Sequence, residues 1–137
     1  PLGRLAMRAY GAMPVWRAHE SGSDRGSRNE ETFARCRAAL AAGEALALFP
    51  EGASHSDPQM KPLKTGAARI VLSAEKEHAS HTGRALGACV IPVGLYYERK
   101  AVFRSRVLLV VGEPLRADTR REAYAVDERG TVEAFTD

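Results

Sequence analysis

Cysteine is scarce in this chain: there are two, Cys36 and Cys89, too few for a disulfide framework and wrongly spaced for a thiolate metal site. They fall in segments that read as a helix and a strand, and a reducing compartment fits them best. Long apolar runs are missing as well. The longest, residues 90–97 and 107–111, are far short of the roughly 20 residues that a bilayer-crossing helix needs. Aromatic residues make up 7% of the chain and are not interleaved with a basic stripe. The net charge of +3 comes mostly from arginines spread from Arg4 to Arg129, which argues against nucleic acid and suits an anionic membrane surface or a phosphorylated small molecule. No loop carries the Gly-Lys-Ser/Thr ending of a P-loop, and no carboxylates cluster as metal ligands. A nucleotide-binding enzyme or a metal-dependent phosphohydrolase is therefore disfavoured, and the sequence calls for no metal and no bound cofactor. Internal repeats and low-complexity tracts are absent too.

What is present is ordinary globular composition: 137 residues, 45% hydrophobic and 27% charged, enough for one compact domain or part of a larger one. Pro1 is not an initiator methionine, and residues 131–137 look like the opening of a helix that is then cut. Both ends read as truncations.

Periodicity orders the elements. Leu2, Leu5, Ala6 and Ala9 share a helical face that stops at Gly11, with Arg4 and Arg8 opposite. Residues 12–17 (AMPVWR) read as a strand and residues 21–28 as a Ser/Gly-rich loop. Ser27 with Glu30 three residues on is a capping-box pattern, and the helix it opens runs to Ala42, ended by Gly43. Residues 45–49 (ALALF) are apolar on both faces, as in an interior strand of a parallel sheet. Strand, crossover helix and strand form a β-α-β unit whose strands run parallel. A polar loop over residues 50–64 leads to a further helix over 65–79. Residues 89–97 and 101–111 then read as strands joined by a short charged turn, an antiparallel hairpin. The expected fold is therefore α/β, a mixed, largely parallel sheet flanked by helices. It occupies residues 1–115, with residues 116–137 a polar C-terminal extension ending in the start of a helix.

In such a sheet, ligands bind beyond the carboxyl ends of the strands, where loops lead into helix N-termini. Arg17 closes the first strand, Phe49-Pro50-Glu51-Gly52 the second, and Tyr96, Tyr97 and Glu98 the third. Parallel pairing brings Arg17 and Glu51 to one edge, beside the loop carrying His55, Lys61 and Lys64 and beside the helix start at Thr65-Gly66. A guanidinium, two ammonium groups and a helix N-terminus suit a phosphate. Against this, Glu51 has the plain alternative of a capping or salt-bridging carboxylate, and Lys61 and Lys64 that of solvated loop lysines.

The stretch Ala47-Leu48-Phe49-Pro50-Glu51-Gly52-Ala53-Ser54-His55-Ser56 resembles the third motif, FPEGTRS, of the glycerol-phosphate and lysophosphatidate acyltransferases. Gly11-Ala12-Met13-Pro14-Val15-Trp16-Arg17 resembles their second motif and Val90-Ile91-Pro92-Val93-Gly94 their fourth. The resemblance covers about residues 2–115 and implies a partial acyltransferase domain. It implies that Arg17, Phe49, Pro50, Glu51 and Gly52 bind the glycerol phosphate while Val90, Ile91, Pro92 and Val93 shape the acyl-donor site. The resemblance further implies an acyl-CoA or an acyl-carrier protein as donor and a setting at the cytoplasmic face of a membrane, reached peripherally or through segments beyond these residues. This chain departs from the family motif at Ser54, where the common form has arginine. With His55 and the downstream Pro62-Leu63-Lys64-Thr65-Gly66 it is similar to the fungal glycerol-3-phosphate and dihydroxyacetone-phosphate acyltransferases, which makes Lys61 and Lys64 candidates for the missing positive charge.

The family's first motif, H-x-x-x-x-D, supplies the general base and the carboxylate that orients it, and it precedes the second motif. His19 and Asp24 have the same spacing, but His19 follows Arg17 almost directly and the residues between read as a loose loop. The pattern is short enough to arise by chance, so no residue here is assigned as catalytic. His55 is better suited to phosphate than to base chemistry, with Asp57 the nearest carboxylate in sequence, and His78 and His81 sit near a helix end. The expected activity is acyl transfer from a thioester to the hydroxyl of a glycerol phosphate, with this chain inactive alone. The alternative is a non-catalytic phosphate- or lipid-binding protein that keeps the fold.

Overall fold

The computed structural model describes residues 11, 25–53, 57 and 59–137. The helix expected over residues 2–9 and the strand over 12–17 lie outside them. The chain divides into two compact units, Pro1–Leu46 and Ala47–Asp137.

In the first unit, helix α1 spans Arg25–Ala41. It begins two residues ahead of Ser27, so the first turn takes up residues expected to close a loop, and Ser27 is not the cap. The stop is as expected. Gly43 takes the left-handed conformation, φ +81°, and its N–H donates to the Leu40 carbonyl at 3.0 Å, a backbone state that a β-carbon disfavours. Thr32 and Cys36, one turn apart, are buried, while Arg37 donates to Glu30 at 3.0 Å.

The expected interior strand over residues 45–49 is not formed: these residues join no ladder, and Leu48 and Phe49 stay 43% and 79% exposed. An apolar run becomes a buried strand only when neighbouring strands take up its N–H and C=O groups, and no described strand pairs with it here. The mixed α/β class holds, but a largely parallel sheet is not shown: every strand pairing among the described residues is antiparallel, and the strand expected over residues 12–17 lies outside them.

The second unit is built around helix α2, Gly66–Thr82. Ala68, Val71, Leu72, Glu75 and Ala79 recur at three- and four-residue spacing and are all buried, one stripe facing the core. The helix runs three residues beyond Ala79, because Gly83, at φ +70°, is the residue that turns the chain and donates to the Ala79 carbonyl at 2.9 Å.

Four short strands follow: β1 Cys89–Val90, β2 Val93–Tyr97, β3 Val107–Val111 and β4 Leu115–Arg116. The hairpin is antiparallel as expected, β2 on β3 and β1 on β4, but neither arm is one continuous strand. Pairing steps from Val93↔Val111 to Val90↔Leu115, three residues on one arm against four on the other. The extra residue is a bulge, and it falls where Pro92 and Pro114 have no N–H to give a ladder. The Pro92 carbonyl is still used, accepting from Gly112 N–H at 2.9 Å. At the far end the turn is longer than its sequence suggests: residues 101–106 lie outside β3, and Glu98 N–H donates to the Arg106 carbonyl at 3.1 Å.

A 3-10 turn, Asp118–Arg120, and two helices, α3 Arg121–Val126 and α4 Glu128–Thr136, complete the chain. Asp127 caps α4, its side chain accepting from Gly130 N–H at 2.9 Å, the pairing preferred at helix starts. Ala117, Tyr124 and Val132 join Ala68, Val71 and Leu72 in one buried cluster, with Ala88, Val90 and Phe135 against it. Leu72, 2% exposed, contributes on the order of 1.5–3 kcal/mol by leaving water. Residues beyond Leu115, polar on average, thus carry half of that buried cluster.

Candidate functional site

The site is assembled by one tight turn and the end of the loop that follows it. Pro50, with its fixed φ, leads a turn closed by Gly52 N–H donating to the Phe49 carbonyl at 3.1 Å, and Gly52 sits at φ +66°, where a side chain is strained. Lys64 N–H donates back to the Pro50 carbonyl at 2.8 Å. This clasp brings the Pro-Glu-Gly turn to a residue two positions ahead of α2. A β-carbon placed on Gly52 would lie 3.4 Å from Lys64 Cγ, so the lysine stem runs over the glycine.

Glu51 is half-buried within the turn, and Phe49 is largely exposed. Lys64 is exposed, and α2 starts two residues further on. Thr65 is the N-cap but lies in the α region and makes no side-chain cap bond, so the first-turn N–H groups of α2 are not taken by the Thr65 hydroxyl. A helix N-terminus favours anions through its first-turn N–H groups, and Lys64 lies two residues before it in sequence. Lys61 is held differently, its Nζ 3.7 Å from Asp57, an exposed pair of small energetic weight. Asp57, the carboxylate considered for His55, is thus engaged with a lysine.

Of the residues expected at the site, the fold brings together Pro50, Glu51, Gly52 and Lys64 with the start of α2. Arg17, His19, Asp24, Ser54 and His55 lie outside the described residues, and with them the expected edge shared by Arg17 and Glu51. The segment expected to shape an acyl-donor site straddles the bulge: Val90 ends β1 half-buried, Ile91 is 53% exposed, and Val93 opens β2 at 50%. His81, in the last turn of α2, spends its Nδ1–H on the Glu77 carbonyl at 2.7 Å. Among the described residues no group of three or more His, Cys, Asp or Glu side chains could hold a metal ion, and no helix is long and apolar enough to cross a membrane.

Sequence reasoning missed Glu75. Its side chain is 1% exposed, and its two carboxyl oxygens accept from Leu86 N–H at 3.0 Å and Gly87 N–H at 2.9 Å. Gly87 lies at φ +73°, a left-handed turn that lets successive N–H groups converge on one acceptor, as in backbone nests. Glu75 thereby ties α2 to the segment entering β1, whose next residues form the fourth motif. The signal was in the periodicity, since residue 75 lies on the stripe of Ala68, Val71, Leu72 and Ala79.

Residues 1–96, which include all three motifs, match the family described as Acyltransferase, and the chain belongs to that family. Among curated proteins it is 38% identical over 94 residues to an uncharacterized acyltransferase of Schizosaccharomyces pombe, covering 68% of this chain and 13% of that protein. It is 35% identical over 105 residues to glycerol-3-phosphate O-acyltransferase 2 of Saccharomyces cerevisiae, covering 76% and 14%, and 32% identical over 76 residues to glycerol-3-phosphate O-acyltransferase 1 of the same yeast, covering 56% and 9%. The chain therefore spans about one-seventh of the length of the first two relatives. No solved structure matches it.

Proposed function

We propose that this chain forms part of the substrate site of an enzyme that moves a fatty acyl group from an acyl thioester to the hydroxyl of glycerol-3-phosphate or a related glycerol phosphate in phospholipid synthesis. The observation that supports it most directly is the clasp between Pro50 and Lys64, which joins the Pro-Glu-Gly turn to a lysine and a helix N-terminus. In this reading Lys64 and the α2 N-terminus meet the acceptor phosphate, with Arg17, Lys61, Ser54 and His55 as further ligands. Glu51 holds a glycerol hydroxyl or orients the turn. Residues 90–93 line the path of the donor, an acyl-CoA or an acyl-carrier protein.

The chemistry balances simply. A general base takes the proton of the acceptor hydroxyl as its oxygen attacks the thioester carbonyl; the tetrahedral adduct then expels the thiolate, which takes up a proton. The family resemblance gives the base to the histidine of H-x-x-x-x-D, and His19 is not assigned that role, so the 137 residues alone are expected not to turn over. The enzyme is placed at the cytoplasmic face of a membrane, where its product is lipid.

The test is Lys64→Ala in the full-length enzyme. Loss of one charge-assisted hydrogen bond is expected to raise KM for glycerol-3-phosphate about tenfold with kcat little changed, and Lys64→Arg is expected to recover part of it. An unchanged KM refutes the assignment.

A further inference from the structure

The loop that joins β2 to β3 combines clustered cations with exposed apolar residues. Residues 98–106 hold four cations, Arg99, Lys100, Arg104 and Arg106, against one carboxylate, Glu98, a net +3. The whole chain also carries +3, so these nine residues match the net charge of the full 137. In the middle of the same loop stand Val102 and Phe103, 48% and 89% exposed. Just behind it, at the end of β2, Tyr96 and Tyr97 are 68% and 48% exposed.

The loop is held in this form by its own hydrogen bonds. Glu98 N–H donates to the Arg106 carbonyl at 3.1 Å, Val102 N–H to Arg99 at 3.1 Å and Ser105 N–H to Val102 at 3.2 Å. The Ser105 hydroxyl accepts from Arg99 N–H at 2.8 Å. Arg104 takes a left-handed backbone, φ +62°, uncommon for a residue with a β-carbon, and its guanidinium lies 5.8 Å from the Phe103 ring centroid. The backbone thus presents a phenylalanine outward while a cation stays beside it.

We infer that this hairpin tip is a membrane-contact element that seats Val102 and Phe103 at the acyl boundary of an anionic phospholipid surface, with Arg99, Lys100, Arg104 and Arg106 on the headgroup phosphates. The order along the hairpin matches the order of a bilayer interface: apolar residues at the apex, cations flanking them, and tyrosines behind, the residue type favoured where one end is apolar and the other wet. Basic residues near an anionic leaflet and a buried aromatic add their contributions, and the preformed turn lowers the ordering cost of contact. The inference does not depend on the acyl-acceptor assignment, because vesicle binding requires no turnover.

The test is co-sedimentation of the 137-residue chain with vesicles of phosphatidylcholine alone and of phosphatidylcholine mixed with phosphatidylserine. Binding is expected on the mixed vesicles, weakened about fivefold for each of Arg99→Ser and Lys100→Ser and about tenfold for Phe103→Ser. Arg104→Asn, a residue tolerant of the left-handed region, gives the same readout there. Circular dichroism of each variant should match the parent, since all four positions are exposed. Failure to bind mixed vesicles overturns the proposal, as does equal binding to phosphatidylcholine alone. Salt-sensitive binding that Phe103→Ser leaves unchanged also overturns it, since that is the behaviour of a loop for soluble polyanions or acidic proteins.

Discussion

Replacing Glu75 removes an acceptor on which two backbone donors depend. In the folded chain its oxygens take Leu86 N–H at 3.0 Å and Gly87 N–H at 2.9 Å, and Leu86 is itself half-buried. A buried donor left without a partner costs about 1–3 kcal/mol. Gly87 is exposed, so water can replace its bond in part, and Glu75→Ala is expected to cost about 2–4 kcal/mol on the scale of that principle. That is a large fraction of a total stability of roughly 5–15 kcal/mol. Glu75→Gln keeps one carbonyl oxygen but turns an amide donor towards the second N–H, for an expected loss of about 1–2 kcal/mol. Glu75→Leu separates the two opposing effects, since it fills the volume and removes the burden of a buried polar group while leaving both donors unpaired. Urea unfolding of the three variants gives the ranking, and hydrogen exchange at the Leu86 and Gly87 amides shows where the loss is felt. If Glu75→Leu matches the parent in stability and in protection at those amides, the carboxyl group does not anchor this segment and the reasoning fails.

Gly52→Ala is expected to cost about 1–2 kcal/mol through its left-handed backbone, whereas Gly66→Ala, in helix α2 with open space where its β-carbon would sit, is expected to stabilise by about 0.5–1 kcal/mol; equal denaturation midpoints for the two variants would count against the turn geometry. The hydrogen bond from Arg116 holds the Asp118 carboxyl below the usual carboxylate range. Its contribution to stability is therefore complete above the unfolded carboxyl pKa and fades as pH falls through the lowered folded value. Arg116→Ala should move the Asp118 titration, followed by carboxyl NMR, up towards the ordinary value near ~3.9. Burial pushes the Cys36 thiol pKa up, whereas Cys89 is exposed. A thiol reagent should therefore show one fast and one slow phase, and Cys89→Ser should delete the fast one; a fast phase surviving in that variant contradicts the burial of Cys36.

Local signals were legible and tertiary ones were not. Gly43 and the apolar stripe of α2 could be read directly, because a left-handed glycine and a 3.6-residue period are properties of the segment itself. Gly83 carried the same information and places the end of α2 three residues past the last apolar position. The strand expected over residues 45–49 failed because its formation depends on partners elsewhere in the chain. The strand expected from residue 101 failed because Val102 and Phe103 favour strands by propensity, yet the closure of Glu98 onto Arg106 holds them in a turn. At the site, the Pro-Glu-Gly turn and Lys64 could be singled out by motif, but no periodicity joins residues 50 and 64. Glu75 is followed by the polar run Lys76, Glu77 and His78, which hides its place on the apolar stripe. The helical face it shares was the better guide.

The bond between the Lys64 amide and the Pro50 carbonyl also separates position from loop length. Whatever chain runs between the two, Glu51 keeps its offset from the first turn of α2. Each doubling of such a closed segment costs only about 0.6 kcal/mol in closure entropy. The intervening residues can therefore be lengthened, shortened or rewritten without moving the Pro-Glu-Gly turn relative to the helix, as interchangeable inserts on a fixed frame.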